Sequence, residues 1–177
     1  MHHTISVLVV NKSGVLSRIS GLFSGRGFNI ESLNVAETND SGISRMTIVT
    51  RGDDKKIEQV TKQLNKLIDV IKVIDLTEEH FVDRELILVK MTAEARVREE
   101  ILRIVDIFRA KVIDVNTDSY TVEITGDEGK TKGFLDLLKP LGIKEVVRSG
   151  RIAISRGIKP INSVRHKCFT LNRKKPI

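Results

Sequence analysis

Residues 4–27 read TISVLVVNKSGVLSRISGLFSGRG, and this stretch decides the fold. Thr4 to Asn11 is a β-branched, apolar run of strand length. Asn11-Lys12-Ser13-Gly14 then supplies turn and helix-start chemistry. Val15, Leu16, Ile19, Leu22 and Phe23 recur at the spacing of one helix face, and Gly25 and Gly27 bracket the point where that helix must stop. A strand therefore feeds directly into a helix.

Working outward, residues 28–38 turn strand-like, Asn39-Asp40-Ser41-Gly42 makes a hairpin, and Ile43 to Thr50 runs back as a second strand. Gly52-Asp53-Asp54 offers capping acids to a helix whose apolar face is Ile57, Val60, Leu64, Leu67 and Ile68. Val70 to Leu76 closes the set. The order is βαββαβ, the ferredoxin-like arrangement, in which both helices cover one sheet face and the other is left for a partner.

The polar run Thr77-Glu78-Glu79-His80 reads as a linker, after which the same order begins again. Val82–Ala93 is a strand, and Val97, Ile101, Ile104, Val105 and Phe108 form a helical stripe. Lys111–Asn116 is a strand, and Tyr120, Val122 and Ile124 alternate along the next. Phe134, Leu137, Leu138 and Leu141 mark a helix stopped by Pro140 and Gly142, and Ile143–Val147 is the last strand of the repeat. Arg151 to Ser155 reads as a short strand added at a sheet edge. The predicted class is α+β: two consecutive ferredoxin-like domains at 1–77 and 82–157, a linker at 78–81, and a basic tail at 158–177 that reads as extended or disordered.

The chain carries 30 basic and 23 acidic residues, a balance that invites a nucleic-acid partner. Lys159, Arg165, Lys167, Arg173, Lys174 and Lys175 lie in the tail without an acid, so residues 1–157 are close to neutral. The strands at Thr4–Asn11 and Ser44–Thr50 hold no aromatic on which a base could stack, so no nucleic acid is expected. No apolar run approaches membrane-spanning length, and the N-terminus lacks a targeting layout, so no membrane partner is expected. The lone Cys168 fits a reducing compartment.

Catalytic chemistry is equally absent from the pattern. His2, His3, His80 and His166 fall at the N-terminus, in the linker and in the tail, poor places to preorganise a base or a metal ligand. Gly25-Arg26-Gly27 follows a helix where a phosphate loop would open one. The purposeful segment is Asn11 to Leu16. A helix N-terminus presents unpaired N–H groups and partial positive charge, which suits a carboxylate, and Gly14 lets a ligand approach the backbone. The Asn11 amide offers a donor and an acceptor, and Asn29 can supply a second amide. Residue types and spacing alone favour ordinary turn chemistry here over a binding site.

These residues also carry a family resemblance. Asn11–Ile19 (NKSGVLSRI), Gly21-Leu22-Phe23, 26–33 (RGFNIESL) and 44–48 (SRMTI) are similar to the N-terminal ACT domain of acetohydroxyacid (acetolactate) synthase small subunits. The similarity continues through 84–90 (RELILVK), 123–126 (EITG) and 138–150 (LKPLGIKEVVRSG), covering about residues 2–157. Ser13 stands where many of that family carry proline, and the tail runs past the usual end.

The resemblance implies a non-catalytic regulatory subunit, with an ACT-like second domain, acting in branched-chain amino-acid (valine, leucine, isoleucine) biosynthesis. It implies a homodimer through the ACT domains, and a separate catalytic large subunit that carries thiamine diphosphate, Mg²⁺ and FAD. The small chain itself is expected to hold no cofactor; it would activate its partner and confer feedback inhibition by valine. The effector positions implied are Asn11, Gly14 and Asn29, with Ser13, Val15, Leu16 and Ile30 around them. The expected location is cytoplasmic, or the plastid stroma for a plastid-encoded chain. A sensor regulating a different biosynthetic enzyme is the alternative.

Overall fold

The computed structural model describes residues 2–157 apart from Glu78 and Ala93; the expected tail at 158–177, with His166 and Cys168, lies outside the described residues. The first unit runs β1 (His2–Val10), α1 (Val15–Ser24), β2 (Ile30–Glu37), β3 (Ile43–Arg51), α2 (Asp54–Leu64) and β4 (Val70–Asp75). Its sheet is antiparallel in the order β2-β3-β1-β4. The second unit runs β5 (Phe81–Thr92), α3 (Ala95–Ile107), β6 (Lys111–Val115), β7 (Ser119–Gly126), α4 (Glu128–Leu138) and β8 (Ile143–Arg148), in the order β6-β7-β5-β8. The two βαββαβ units are those the hydrophobic spacing predicts.

Each sheet turns alternate residues toward its helices. In the first unit Ile5, Val7 and Val9 meet Ile19, Phe23, Val60 and Leu64, all buried. In the second, Ile87, Val89 and Met91 meet Ile101, Val105, Phe134 and Leu138. Two helices start on an aspartate cap: Asp53 accepts the N–H of Lys55 at 3.0 Å, and Asp127 that of Lys130 at 2.9 Å. Asp127→Ala is expected to lower stability by about 1 kcal/mol, the ordinary worth of such a cap, as read from a denaturant midpoint.

Three apolar positions depart from the predicted stripes, Leu16 of α1, at 43% exposure, among them. Ile68 is 90% exposed, because α2 ends at Leu64 and the following turn carries residue 68 off the helix face. Leu137 is 50% exposed, on the outer side of α4, while Phe134 and Leu138 face the core. Ile68→Ser is therefore expected to change stability by no more than about 0.5 kcal/mol, as measured by thermal unfolding.

The final strand also departs from expectation. β9 (Ile152–Ser155) joins neither edge of the four-stranded sheets; it pairs with the first residues of β5, Phe81 to Arg84, as a separate two-stranded ribbon. β5 is 12 residues long, and only its later part belongs to the second sheet. β9 lies against β1 on the helix-free side of the first sheet. That side was expected to be bare. Instead Thr4, Ser6, Leu8, Thr47 and Val49 are nearly inaccessible there, so the chain covers the middle of this face itself.

Candidate functional site

The segment from Asn11 to Leu16 joins β1 to α1, and its geometry follows from Gly14. Gly14 is the N-cap of α1 in a left-handed conformation (φ 82°), and an added Cβ would meet nothing within 4 Å. It has no side chain with which to cap the helix, and no other side chain caps it. Val15 N–H donates to Lys12 O at 3.4 Å, and the N–H groups of Leu16 and Ser17 are left without a partner among the described residues, a standing attraction for an anion. α3 also lacks a side-chain cap, so this feature by itself does not single out a site.

Asn11 supplies the second element. Its backbone N–H donates to Gly42 O at 2.8 Å, and its Nδ2 donates to Glu37 Oε1 and Ser41 O, each at 2.9 Å. Both amide hydrogens are committed to the β2–β3 hairpin, leaving Oδ1 as an acceptor. Asn11 can therefore offer a ligand an acceptor without the donor the sequence suggested. Arg18 pairs with Asp69, and Val10 N–H donates to Asp69 O at 2.9 Å, which pins the loop after α2 beside α1.

The surrounding candidates divide. Ser13 is exposed beside Gly14. Val15 is 4% exposed and belongs to the core, whereas Leu16 is 43% exposed on the open side of the helix. Asn29 and Ile30 lie elsewhere: Ile30 pairs with Thr50, which pairs with His3, while Gly14 follows Val10, which pairs with Ile43. Seven residues of β1 separate those rows, about 23 Å at strand rise. A single chain brings together Asn11, Ser13, Gly14 and Leu16, and places Asn29 at the opposite end of the sheet.

Three features were not foreseen. His3, read as an N-terminal residue in a poor place for preorganisation, is 5% exposed, because β1 begins at His2 and carries it into the sheet. Its Nε2 is 3.3 Å from Asp54 Oδ1 and its Nδ1 is 3.4 Å from Asp75 Oδ2. The second is an ion pair in the second unit between a buried Glu85 and a half-exposed Arg148, which donates through Nε at 3.0 Å and Nη2 at 2.5 Å. That hydrogen bond holds the Arg148 guanidinium above its ordinary pKa.

The third feature is the junction between the units. Arg151 N–H donates to Ser32 Oγ at 2.9 Å, and Asn34 Nδ2 to Ser149 O at 3.4 Å. The Arg151 side chain reaches Glu128 at 2.9 Å and Asp83 at 3.4 Å, so one residue ties β2 to the start of α4 and to β5. The two hydrogen bonds to β2 join segments over 100 residues apart and leave no local trace in the sequence. Among the described residues no group of three or more His, Cys, Asp or Glu is placed to hold a metal, and no helix is long and apolar enough to cross a membrane.

Comparison with known proteins adds a family to this geometry. Residues 5–72 match a model described as an AHAS small subunit-like ACT domain, and residues 84–157 one described as the small subunit of acetolactate synthase. A probable acetolactate synthase small subunit of Archaeoglobus fulgidus is 55% identical over 159 residues, covering 90% of this chain and 99% of that one. An acetolactate synthase small subunit of Aquifex aeolicus is 56% identical over 155 residues, covering 87% and 81%. The crystal structure of an acetolactate synthase small subunit from Thermotoga maritima superposes with a TM-score of 0.81 at 40% identity, over 90% of this chain and 99% of that one.

Proposed function

We propose an allosteric role on one premise: the chain belongs to the acetolactate synthase small-subunit family, regulatory subunits with an ACT domain. In this reading it makes no bond itself. It binds a separate catalytic subunit, raises that subunit's activity, and lowers it again when valine accumulates. The expected setting is the cytoplasm.

The observation that carries the reading is the uncapped start of α1 at Gly14, with the acceptor of Asn11 beside it. Valine is a zwitterion with a short branched tail. Its carboxylate suits the free N–H groups of the first turn, its ammonium suits Asn11 Oδ1, and its isopropyl group suits the exposed side of Leu16. Leucine and isoleucine compete closely, since one methylene in an apolar pocket is worth only about 1–3 kcal/mol.

One chain offers an open shelf here, and two chains would close it. β2 is an edge strand with an unpaired backbone and Val35 41% exposed. If two copies pair antiparallel along β2, the start of one strand lies beside the end of the other. Asn29 and Ile30 of the second copy then arrive at Glu37, which already holds Asn11. The site is thus built from the helix of one chain and the strand of another.

Calorimetric titration of the full chain with valine, leucine and isoleucine tests this. Saturable binding with valine tightest is expected. Absence of heat with all three, for the chain alone and for its complex with the catalytic subunit, would remove the sensor role.

A further inference from the structure

Between the first sheet and the β5–β9 ribbon the chain leaves a groove of about 550 Å³, within the roughly 300–1,000 Å³ of small-molecule sites. Asn34, Ala36 and Thr47 form its floor; Val82, Ile152 and Ile154 form its wall. Val82 pairs with Ile154 and Arg84 with Ile152, so these four side chains share one face of the ribbon. Ile152 is 53% exposed and Ile154 55%, which leaves an aliphatic surface open to the groove. We infer that the groove binds a small aliphatic carboxylate that carries no ammonium group, with branched oxo acids the fitting class: the carboxylate sits on Arg45 and Arg84, and the tail lies along Ile152 and Ile154.

The charges decide this chemistry. Glu37, Asp83, Arg45 and Arg84 all line the groove, and the two acids are already engaged. Asp83 Oδ2 lies 3.4 Å from Arg151 Nε, and Glu37 Oε1 accepts the Asn11 amide at 2.9 Å. The two bases are not. Arg45 makes no ion pair or hydrogen bond among the described residues, and Arg84 donates only to the backbone carbonyl of Asp83, at 2.6 Å. Each guanidinium thus stands without a counter-ion beside an apolar wall, where water screens charge less than in bulk. A carboxylate supplies the counter-ion, bidentate to one guanidinium or shared by both. An ammonium finds no such opening, so the groove favours an oxo acid over the zwitterionic amino acid of the same skeleton. That is the reverse of the start of α1, where Asn11 Oδ1 suits an ammonium. Sheet register keeps the two places apart: Arg45 and Thr47 alternate with Met46 and Ile48, which pack toward the helices, so the groove opens on the face opposite α1.

Calorimetric titration of the full chain with α-ketoisovalerate tests this, with Arg45→Gln, Arg84→Gln and Gly14→Asp beside it and circular dichroism to check folding. Saturable binding is expected, weakened about 10- to 100-fold by either arginine variant, the worth of a hydrogen bond to a charged group, and unchanged by Gly14→Asp. Should Arg45→Gln misfold, Arg84→Gln decides, since Arg84 is exposed on the ribbon. Absence of binding overturns the groove site, and so does binding that both folded arginine variants leave intact. Binding that Gly14→Asp abolishes would put the oxo acid at the effector site and overturn the groove site as well. None of these results bears on valine binding at α1, which the same variants titrated with valine report separately.

Discussion

Gly14→Asp is expected to weaken valine binding by at least about 100-fold, since a like charge placed against a buried carboxylate costs several kcal/mol. The space is already there: a Cβ at this position meets nothing within 4 Å, so the new side chain would occupy the ligand's place without disturbing the core. The left-handed φ of 82° adds a penalty for any L-residue, smallest for Asp and Asn. Gly14→Asn is the control, having the same shape and the same backbone cost but no charge. Titration of both should show the larger loss for Asp, with activation of the catalytic subunit retained. Equal, small losses would place the effector elsewhere.

The second large effect is expected at Gly150. It adopts φ 79°, and a Cβ there would come within 3.0 Å of Ser32 Oγ and 3.3 Å of Leu33 O. Gly150→Val adds a β-branched side chain to a conformation only glycine adopts readily, at about 1–3 kcal/mol. It also forces β2 away from the crossing at 149–151, breaking the Arg151 N–H to Ser32 Oγ bond. A total loss of about 2–4 kcal/mol is expected, as measured by denaturant unfolding. Ser32→Ala removes the bond alone and should cost about 1 kcal/mol. β2 also begins at Ile30, next to Asn29. Effector occupancy at one end of that strand can therefore reach the second unit through Ser32 and Arg151. Gly150→Val should keep valine affinity within a few fold while valine inhibits the reconstituted enzyme far less. Inhibition that follows binding unchanged would show that the signal travels another way.

Local sequence determined most of the elements. The run Thr4–Val10 had to be a strand and Val15–Phe23 a helix, because only those two periods put Ile5, Val7, Ile19 and Phe23 on one side. Asp53 announced its helix by capping chemistry, and Gly14 announced an open helix start. All of these depend on residues a few positions apart, which sequence reports directly.

What failed to show in the sequence depends on residues far apart along it. Ile68 and Leu137 fit a helical stripe by spacing, yet their burial depends on where each helix ends and which neighbour it meets. Arg151 to Ser155 reads as a strand, but pairing with the start of β5 and covering β1 are choices of tertiary packing. Asn29 looks like a companion to Asn11 and Gly14, and only the sheet register shows that one chain holds them at opposite ends. His3 looks like a free terminus until β1 buries it between Asp54 and Asp75. The sequence by itself determined two βαββαβ units and the chemistry at the start of α1, because propensity, capping and periodicity are local. Tertiary structure alone decided the ribbon, the Gly150 junction and the separation of Asn29 from Asn11 and Gly14, because these depend on which distant surfaces meet once the apolar faces are buried.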